Sequence, residues 1–329
     1  MPNWIGDLVM ATPVLADLRK AFPEAHITAM CRAPHSELLQ YDPNINELFS
    51  FHKVSGFGHR EKKRDIVQKI RQGKYDLGIL LTNSFSSAWW LWQGKVARIV
   101  GYTGQLRSLL LTDRVPPPKE LKHQHLVISY KMLLEPLNIS ISESAPRIYL
   151  LEQELSEAKS LLARMGVDKN QIIVGINPGA AYGSAKCWLP ERFKEVTEKL
   201  LENKSITVLY FGDPNTALLI KQICEDLPAR VINLAGLTSI RELACLIKLC
   251  DVLLTNDSGP MHMAAAVETP LVALFGSTND VTTGPYKTGT VIHKHASCSP
   301  CYKRVCPIDF RCMKRIEVKE VLENILKNL

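Results

Sequence analysis

No apolar run in the 329-residue sequence approaches the length of a membrane-spanning helix, which needs about 20 consecutive apolar residues. A transmembrane segment is therefore not expected. No basic-then-apolar leader follows Met1, which runs straight into Pro2-Asn3-Trp4, so the expectation is a protein that stays in the cytoplasm. Neither G-x-G-x-x-G nor G-x-x-x-x-G-K-[ST] occurs. Hydride transfer on a dinucleotide and P-loop hydrolysis thus have no motif support. Short tandem repeats are missing, which argues against a solenoid or propeller. No nucleic-acid-binding module is recognisable, so nucleic acid is not an expected partner.

What is present is ordinary globular composition, 46% hydrophobic and 22% charged, enough for two domains with sizeable cores. The net charge of +7 suits an anionic partner, such as a phosphorylated ligand or an anionic membrane surface. Nine cysteines without a secretory leader point to reduced thiols or metal ligands. Four of them, Cys298, Cys301, Cys306 and Cys312, form C-x2-C-x4-C-x5-C and are candidate ligands of a structural zinc. Only the first pair has the usual half-site spacing, and free thiols or oxidation-formed disulfides are the alternatives.

Apolar strand segments alternate with helical ones from end to end, which predicts an α/β protein with mostly parallel sheets. Expected strands include His26–Met30, Glu47–Phe51 and Tyr75–Leu81, then Ile172–Ile176, Ile206–Phe211, Val252–Leu254 and Leu271–Phe275. The irregular stretch Asn138–Leu150, containing Pro146, reads as the linker. The expected domains are residues 1–145 and 146–329. A loop such as Pro2-Asn3-Trp4-Ile5-Gly6-Asp7 should follow a strand in a doubly wound domain, so a first strand is apparently missing from the N-terminal half. Asp7 sits at the start of a helix, where it is either a cleft-facing carboxylate or an ordinary cap.

The second half places its polar turns at strand ends, where doubly wound sheets bind ligands. These turns are Asn177-Pro178-Gly179, Phe211-Gly212-Asp213, Asn256-Asp257-Ser258-Gly259 and Phe275-Gly276-Ser277-Thr278. Asp257 and Ser258 suit a helix N-cap, and Pro260 suits the first turn. Backbone N–H groups there and the helix dipole would hold a phosphate, with His262 at the same helix mouth. In the first half, His59-Arg60-Glu61-Lys62-Lys63-Arg64 is the densest basic cluster. It reads as a solvated helix face or as a docking site for anionic groups. The three tryptophans Trp89, Trp90 and Trp92 read as core or domain-interface residues.

Several motifs occur together in one order: Pro2-Asn3-Trp4-Ile5-Gly6-Asp7, Pro178-Gly179-Ala180, Ala185-Lys186-Cys187-Trp188-Leu189-Pro190, Phe211-Gly212, Asn256-Asp257-Ser258-Gly259-Pro260-Met261-His262 and Pro270-Leu271-Val272-Ala273-Leu274-Phe275-Gly276. On these motifs the chain resembles the ADP-heptose:lipopolysaccharide heptosyltransferases of glycosyltransferase family nine, and most of all the members that add the second heptose. The resemblance implies a GT-B architecture, two Rossmann-like doubly wound domains facing each other across a cleft. It implies inverting, metal-independent transfer of L-glycero-D-manno-heptose from ADP-heptose to the lipopolysaccharide inner core, with no cofactor required. It also implies work at the cytoplasmic face of the inner membrane, with peripheral membrane contact. Asp7 matches the family's base and Lys186 its phosphate-binding lysine. Gly179, Lys186, Gly212, Asp257, Ser258, Gly259 and His262 fall to the donor. Asn83, Arg60, Lys62, Lys63 and Arg64 fall to the acceptor. Where some members carry a ribose-binding glutamate, this chain reads Asn215-Thr216-Ala217. A GT-B enzyme using another nucleotide sugar, or a non-catalytic nucleotide-sugar-binding protein, are the competing readings.

Overall fold

The computed structural model describes residues 1–52, 60–120 and 122–329, with the side chains of Arg60 and Glu61 outside that description. The chain divides into two compact units, Met1–Pro146 and Arg147–Leu329.

The first unit opens with two short helices, α1 (Ile5–Met10) and α2 (Thr12–Ala21). Strands β1 (Thr28–Arg32) and β2 (Glu47–Phe51) pair in parallel. Helix α3 (Arg60–Gln72) leads to β3 (Leu77–Leu80), α4 (Phe85–Gln93), β4 (Arg98–Tyr102), β5 (Asp113–Val115) and α5 (Leu126–Met132). The strands form two separate parallel sheets, β1-β2 and β3-β4-β5, rather than one continuous sheet. An apolar groove of about 550 Å³, lined by Leu15, Leu18, Ala29, Phe49, Leu77 and Ile79 among others, touches both sheets. Helix α5 gives way to a separate 3-10 turn, Glu135–Leu137, because Pro136 cannot continue the helical hydrogen bonding.

The second unit is one six-stranded parallel sheet. Its elements are α6 (Glu152–Arg164), β6 (Ile172–Asn177), α7 (Pro190–Leu200), β7 (Ile206–Tyr210), α8 (Ala217–Cys224), β8 (Val231–Asn233), α9 (Ile240–Lys248), β9 (Val252–Asn256), α10 (Gly259–Ala266), β10 (Leu271–Phe275) and β11 (Thr290–His293). The strand order is β11-β10-β9-β6-β7-β8. Strands β7, β9 and β10 are buried along their full length, as expected of strands covered by helices on both faces. Helix α9 begins in a capping box, with Ser239 accepting from the Glu242 N–H and Glu242 accepting from the Ser239 N–H.

A buried cation ties the end of the first unit to its helices. Lys131 on α5 is 1% exposed. Its Nζ donates to Ser142 O at 2.9 Å, Ser142 Oγ at 3.0 Å and Ser144 O at 2.7 Å. The Ser142 and Ser144 hydroxyls donate in turn to Asp17 on α2. Deleting the cation strands buried acceptors. Lys131→Ala is expected to cost about 3 kcal/mol, read as a lower urea midpoint with unchanged far-ultraviolet circular dichroism.

Candidate active site

In the second unit the chain runs β6, β7, β8 outward in one direction and then crosses back to place β9 on the other side of β6. The direction reverses between β6 and β9, and such a switch point is where open parallel sheets bind ligands. Two buried asparagines end these strands. Asn177 Nδ2 donates to Gly179 O at 3.1 Å, Thr255 Oγ1 at 3.3 Å and Ser258 Oγ at 3.1 Å. Asn256 Nδ2 donates to Pro178 O at 2.7 Å, and its Oδ1 accepts from the Trp188 N–H at 3.0 Å. Asn256 thus fixes both ends of the connection between β6 and α7, the segment that carries Lys186, to the end of β9. Trp188 anchors that segment from below. Its ring is fully buried, meets Phe193 edge-on, and its indole N–H donates to Ile316 O at 3.2 Å.

Lys186 emerges from this support. Its Nζ lies 2.5 Å from Asp257 Oδ2 and 5.0 Å from the centre of the Tyr182 ring. The lysine side chain is 14% exposed and the aspartate 4%. Thr278, from the loop after β10, donates to the same Asp257 oxygen at 2.6 Å. Asp257 is therefore not a helix cap. It is a buried counter-ion that orients Lys186, and a positioning residue rather than a group held out to an anion.

Ser258 occupies the N-cap position of α10 but makes no side-chain cap. Its hydroxyl turns to Asn177 and Thr255 instead. The first turn of α10, opened by Gly259 and Pro260, is left without a side-chain cap, the arrangement in which a helix N-terminus receives an anion. His262 is buried within α10. Gly179 and Gly212 have a packing reason. A Cβ on Gly179 would meet Thr216 Cγ2 at 2.8 Å, and one on Gly212 would meet Thr216 Oγ1 at 2.5 Å and Ile220 Cδ1 at 2.4 Å.

In the first unit Asp7 is the third residue of α1, whose N-cap position belongs to Trp4. Its Oδ1 accepts a hydrogen bond from Tyr130 Oη on α5 at 3.1 Å. Burial, and then the Asp7 charge, push the Tyr130 phenol well above its ordinary pKa. It therefore stays a proton donor toward Asp7. Asn83 lies between β3 and α4, where its Oδ1 accepts from Arg107 at 2.8 Å. Lys62 and Arg64 are exposed on α3 and Lys63 is half-buried. His59 and the Arg60 side chain lie outside the described residues.

The four cysteines are free thiols. Cys312 is buried, while Cys298, Cys301 and Cys306 are half-buried. Burial and the other three thiols push the Cys312 thiol up. Among the described residues, the one group of three metal-ligating side chains whose ligand atoms lie within 4.8 Å of one another is Asp280, His293 and His295. Both ring nitrogens of His293 already have partners there, Nδ1 with Asp280 and Nε2 with Ser299, each at 2.9 Å.

The second unit therefore has the fold and the strand-end chemistry of a protein that binds a phosphorylated ligand at a switch point. The model of the family "Glycosyltransferase family 9 (heptosyltransferase)" matches residues 63–310, and the chain belongs to that family. It is 29% identical to lipooligosaccharide heptosyltransferase 2 of Campylobacter jejuni, over 100% of this chain and 97% of the relative. It is 28% identical to lipopolysaccharide heptosyltransferase 2 of Escherichia coli, over 86% and 83% of the two chains. Among solved structures, ADP-heptose lipopolysaccharide heptosyltransferase II of Escherichia coli matches with a TM-score of 0.84 at 26% identity, covering 99% of this chain and 96% of that one. A family 9 glycosyltransferase from Veillonella parvula matches at 0.89 and 25% identity, covering 100% and 95%. The fold class is the α/β GT-B class expected from the sequence motifs, and the protein is a glycosyltransferase.

Lys186→Ala leaves Asp257 buried without its cation. The variant is expected to lose about 3 kcal/mol of stability and roughly tenfold or more in ADP affinity. The double variant Lys186→Ala/Asp257→Ala should recover much of the stability but none of the affinity. Thermal melts and calorimetric titration with ADP separate the two effects.

Proposed function

We propose that the protein transfers L-glycero-D-manno-heptose, the second heptose, from ADP-heptose to the lipopolysaccharide inner core, at the cytoplasmic face of the inner membrane. The observation that carries this reading is Lys186, half-buried against Asp257 beside the uncapped start of α10 at the sheet's switch point. A lysine is a point charge suited to a diphosphate oxygen, and the helix N-terminus supplies N–H groups and a positive dipole end. Together they offset the charge that develops on the departing ADP, so the scheme requires no divalent cation.

The transfer is a single displacement. The acceptor hydroxyl oxygen attacks the anomeric carbon on the face opposite the diphosphate. The new carbon–oxygen bond forms as the bond to the β-phosphate oxygen breaks, and ADP leaves with the electron pair. Asp7 takes the hydroxyl proton. Tyr130 holds the Asp7 carboxylate in one orientation, and because its phenol stays protonated it cannot compete for that proton. Exposed cations on α3, Lys62 and Arg64 among them, suit the phosphates and carboxylates of the acceptor, together with Arg60, Lys63 and Asn83.

The deciding experiment is incubation with ADP-heptose and defined truncated cores, with ADP release followed in the presence of a chelator. Turnover with UDP-sugars alone would overturn the donor assignment, and activity that returns only with magnesium would overturn the metal-free scheme. Asp7→Asn is expected to lower transfer by about 10²–10⁴ with ADP-heptose binding nearly unchanged. Tyr130→Phe should lower kcat by a smaller factor, about five- to tenfold, and leave the donor KM alone. Neutralising Lys62 and Arg64 together should raise the acceptor KM several-fold, since exposed ion pairs contribute only about 0.2–1 kcal/mol each. That effect should shrink with added salt, and equal losses for donor and acceptor would sink the docking role.

A further inference from the structure

Helix α4, Phe85–Gln93, contains no charged residue, yet it lies at the surface. Phe85, Trp89 and Trp92 fall on one face of it and are all exposed, Trp92 to 51%. Their rings form a stacked row, with centroids 6.0 Å apart between Phe85 and Trp89 and 5.0 Å between Trp89 and Trp92. Of the helix's aromatic residues, Trp90 turns inward, to meet Phe51 edge-on. The expectation that all three tryptophans belong to a core or domain interface thus fails for two of them among the described residues.

A short 3-10 helix, Arg107–Leu110, packs against α4 and extends the apolar surface. Leu106 and Leu109 are 81% and 80% exposed. Gln105 and Leu106 both have left-handed backbones, with φ of +50° and +61°, a conformation in which a bulky side chain is uncommon. Beneath them the buried Arg107 donates to Tyr102 O at 2.5 Å, Thr82 O at 3.2 Å and Asn83 Oδ1 at 2.8 Å. The two leucines are thus held out into solvent by a rigid, hydrogen-bonded support. On the other side of α4, helix α3 presents Lys63, Arg64 and Arg71. With Lys95 and the tryptophans they line an open hollow of about 790 Å³, and among the described residues that line it there is no acidic side chain.

A soluble anion would use the cations but leave the leucines and tryptophans in water. An apolar protein partner would use the aromatic row but give no reason for a cationic rim without acids. An anionic bilayer uses both: tryptophans favour the headgroup level, leucines enter the acyl boundary and cations meet the lipid phosphates. We propose that the exposed face of α4, with Leu106 and Leu109, is the docking surface for an anionic lipid bilayer. This rests on the proposed membrane contact and names its surface, but the test needs neither donor nor acceptor, so it stands or falls apart from heptose transfer.

The full chain is mixed with vesicles of phosphatidylcholine alone or of phosphatidylcholine with phosphatidylglycerol, and partition is read by sedimentation. Binding is expected on the anionic vesicles, and it should weaken with salt. Tryptophan emission should shift to the blue and be quenched by lipids brominated in their tails. Leu106→Gln/Leu109→Gln should lower the partition by about tenfold or more, with an unchanged thermal melt and unchanged turnover on a lipid-free acceptor. Trp89→Ser/Trp92→Ser should lose both the partition and the emission shift. Wild-type partition by the leucine variant would overturn the proposal, as would equal binding to neutral vesicles. So would a concentration-dependent dimer that the leucine variant abolishes, which would assign the face to a second copy of the chain.

Discussion

The second unit depends on one buried side chain, Asn256. It closes β9 and spends both ends of its amide on neighbouring backbone, the Pro178 carbonyl and the Trp188 N–H. An apolar residue there would leave two buried backbone groups without partners, each a loss of about 1–3 kcal/mol. Asn256 therefore converts the rigidity of the sheet into the rigidity of the lysine. Preorganised charge of this kind is useful in catalysis because it need not reorganise when the leaving group becomes charged.

The lysine is also held in check. Its charge faces Asp257, and that carboxylate has a second partner in Thr278. Were Lys186 to turn toward the diphosphate of the proposed donor, Asp257 would still keep the Thr278 hydroxyl. The first unit solves a related problem with a neutral donor, Tyr130, which orients Asp7 without neutralising it.

Much of this was legible in the sequence, for physical reasons. Strands β2 and β10 fall where apolar runs flanked by polar turns put them, Glu47–Phe51 and Leu271–Phe275. The strand-end turns pointed to the Ser258 turn because helix starts at sheet ends are local in sequence, whereas Lys186 came only from the resemblance to the family. Strands β5 and β11 were missed. They are three and four residues long, and pairing with β4 and β10 holds them rather than their own pattern. Thr278 and Tyr130 were missed as site residues because their partners lie 21 and 123 positions away, and no periodicity reports such contacts. Asp257 was read as a possible cap because the local pattern fits one, and as a donor-binding residue by the resemblance. Only the folded chain brings Lys186 to it. The spacing of Phe85, Trp89 and Trp92 did carry a signal of one shared helical face, which composition alone hid.

Thr216 has an effect on which sequences this fold can explore. Its methyl group blocks any side chain at Gly179, and its hydroxyl stands 2.5 Å from where a Cβ on Gly212 would sit. The two glycines are not equally trapped. At position 179 all three nearest atoms belong to Thr216, so trimming that residue to serine makes room for an alanine. At position 212 Ile220 also intrudes at 2.4 Å, and no change at Thr216 alone relieves it. Substitutions here are thus conditional on their order: alanine at 179 is tolerated after serine at 216 and penalised before it. Loss of the methyl at 216 thus opens position 179, whereas 212 stays tied to two residues at once.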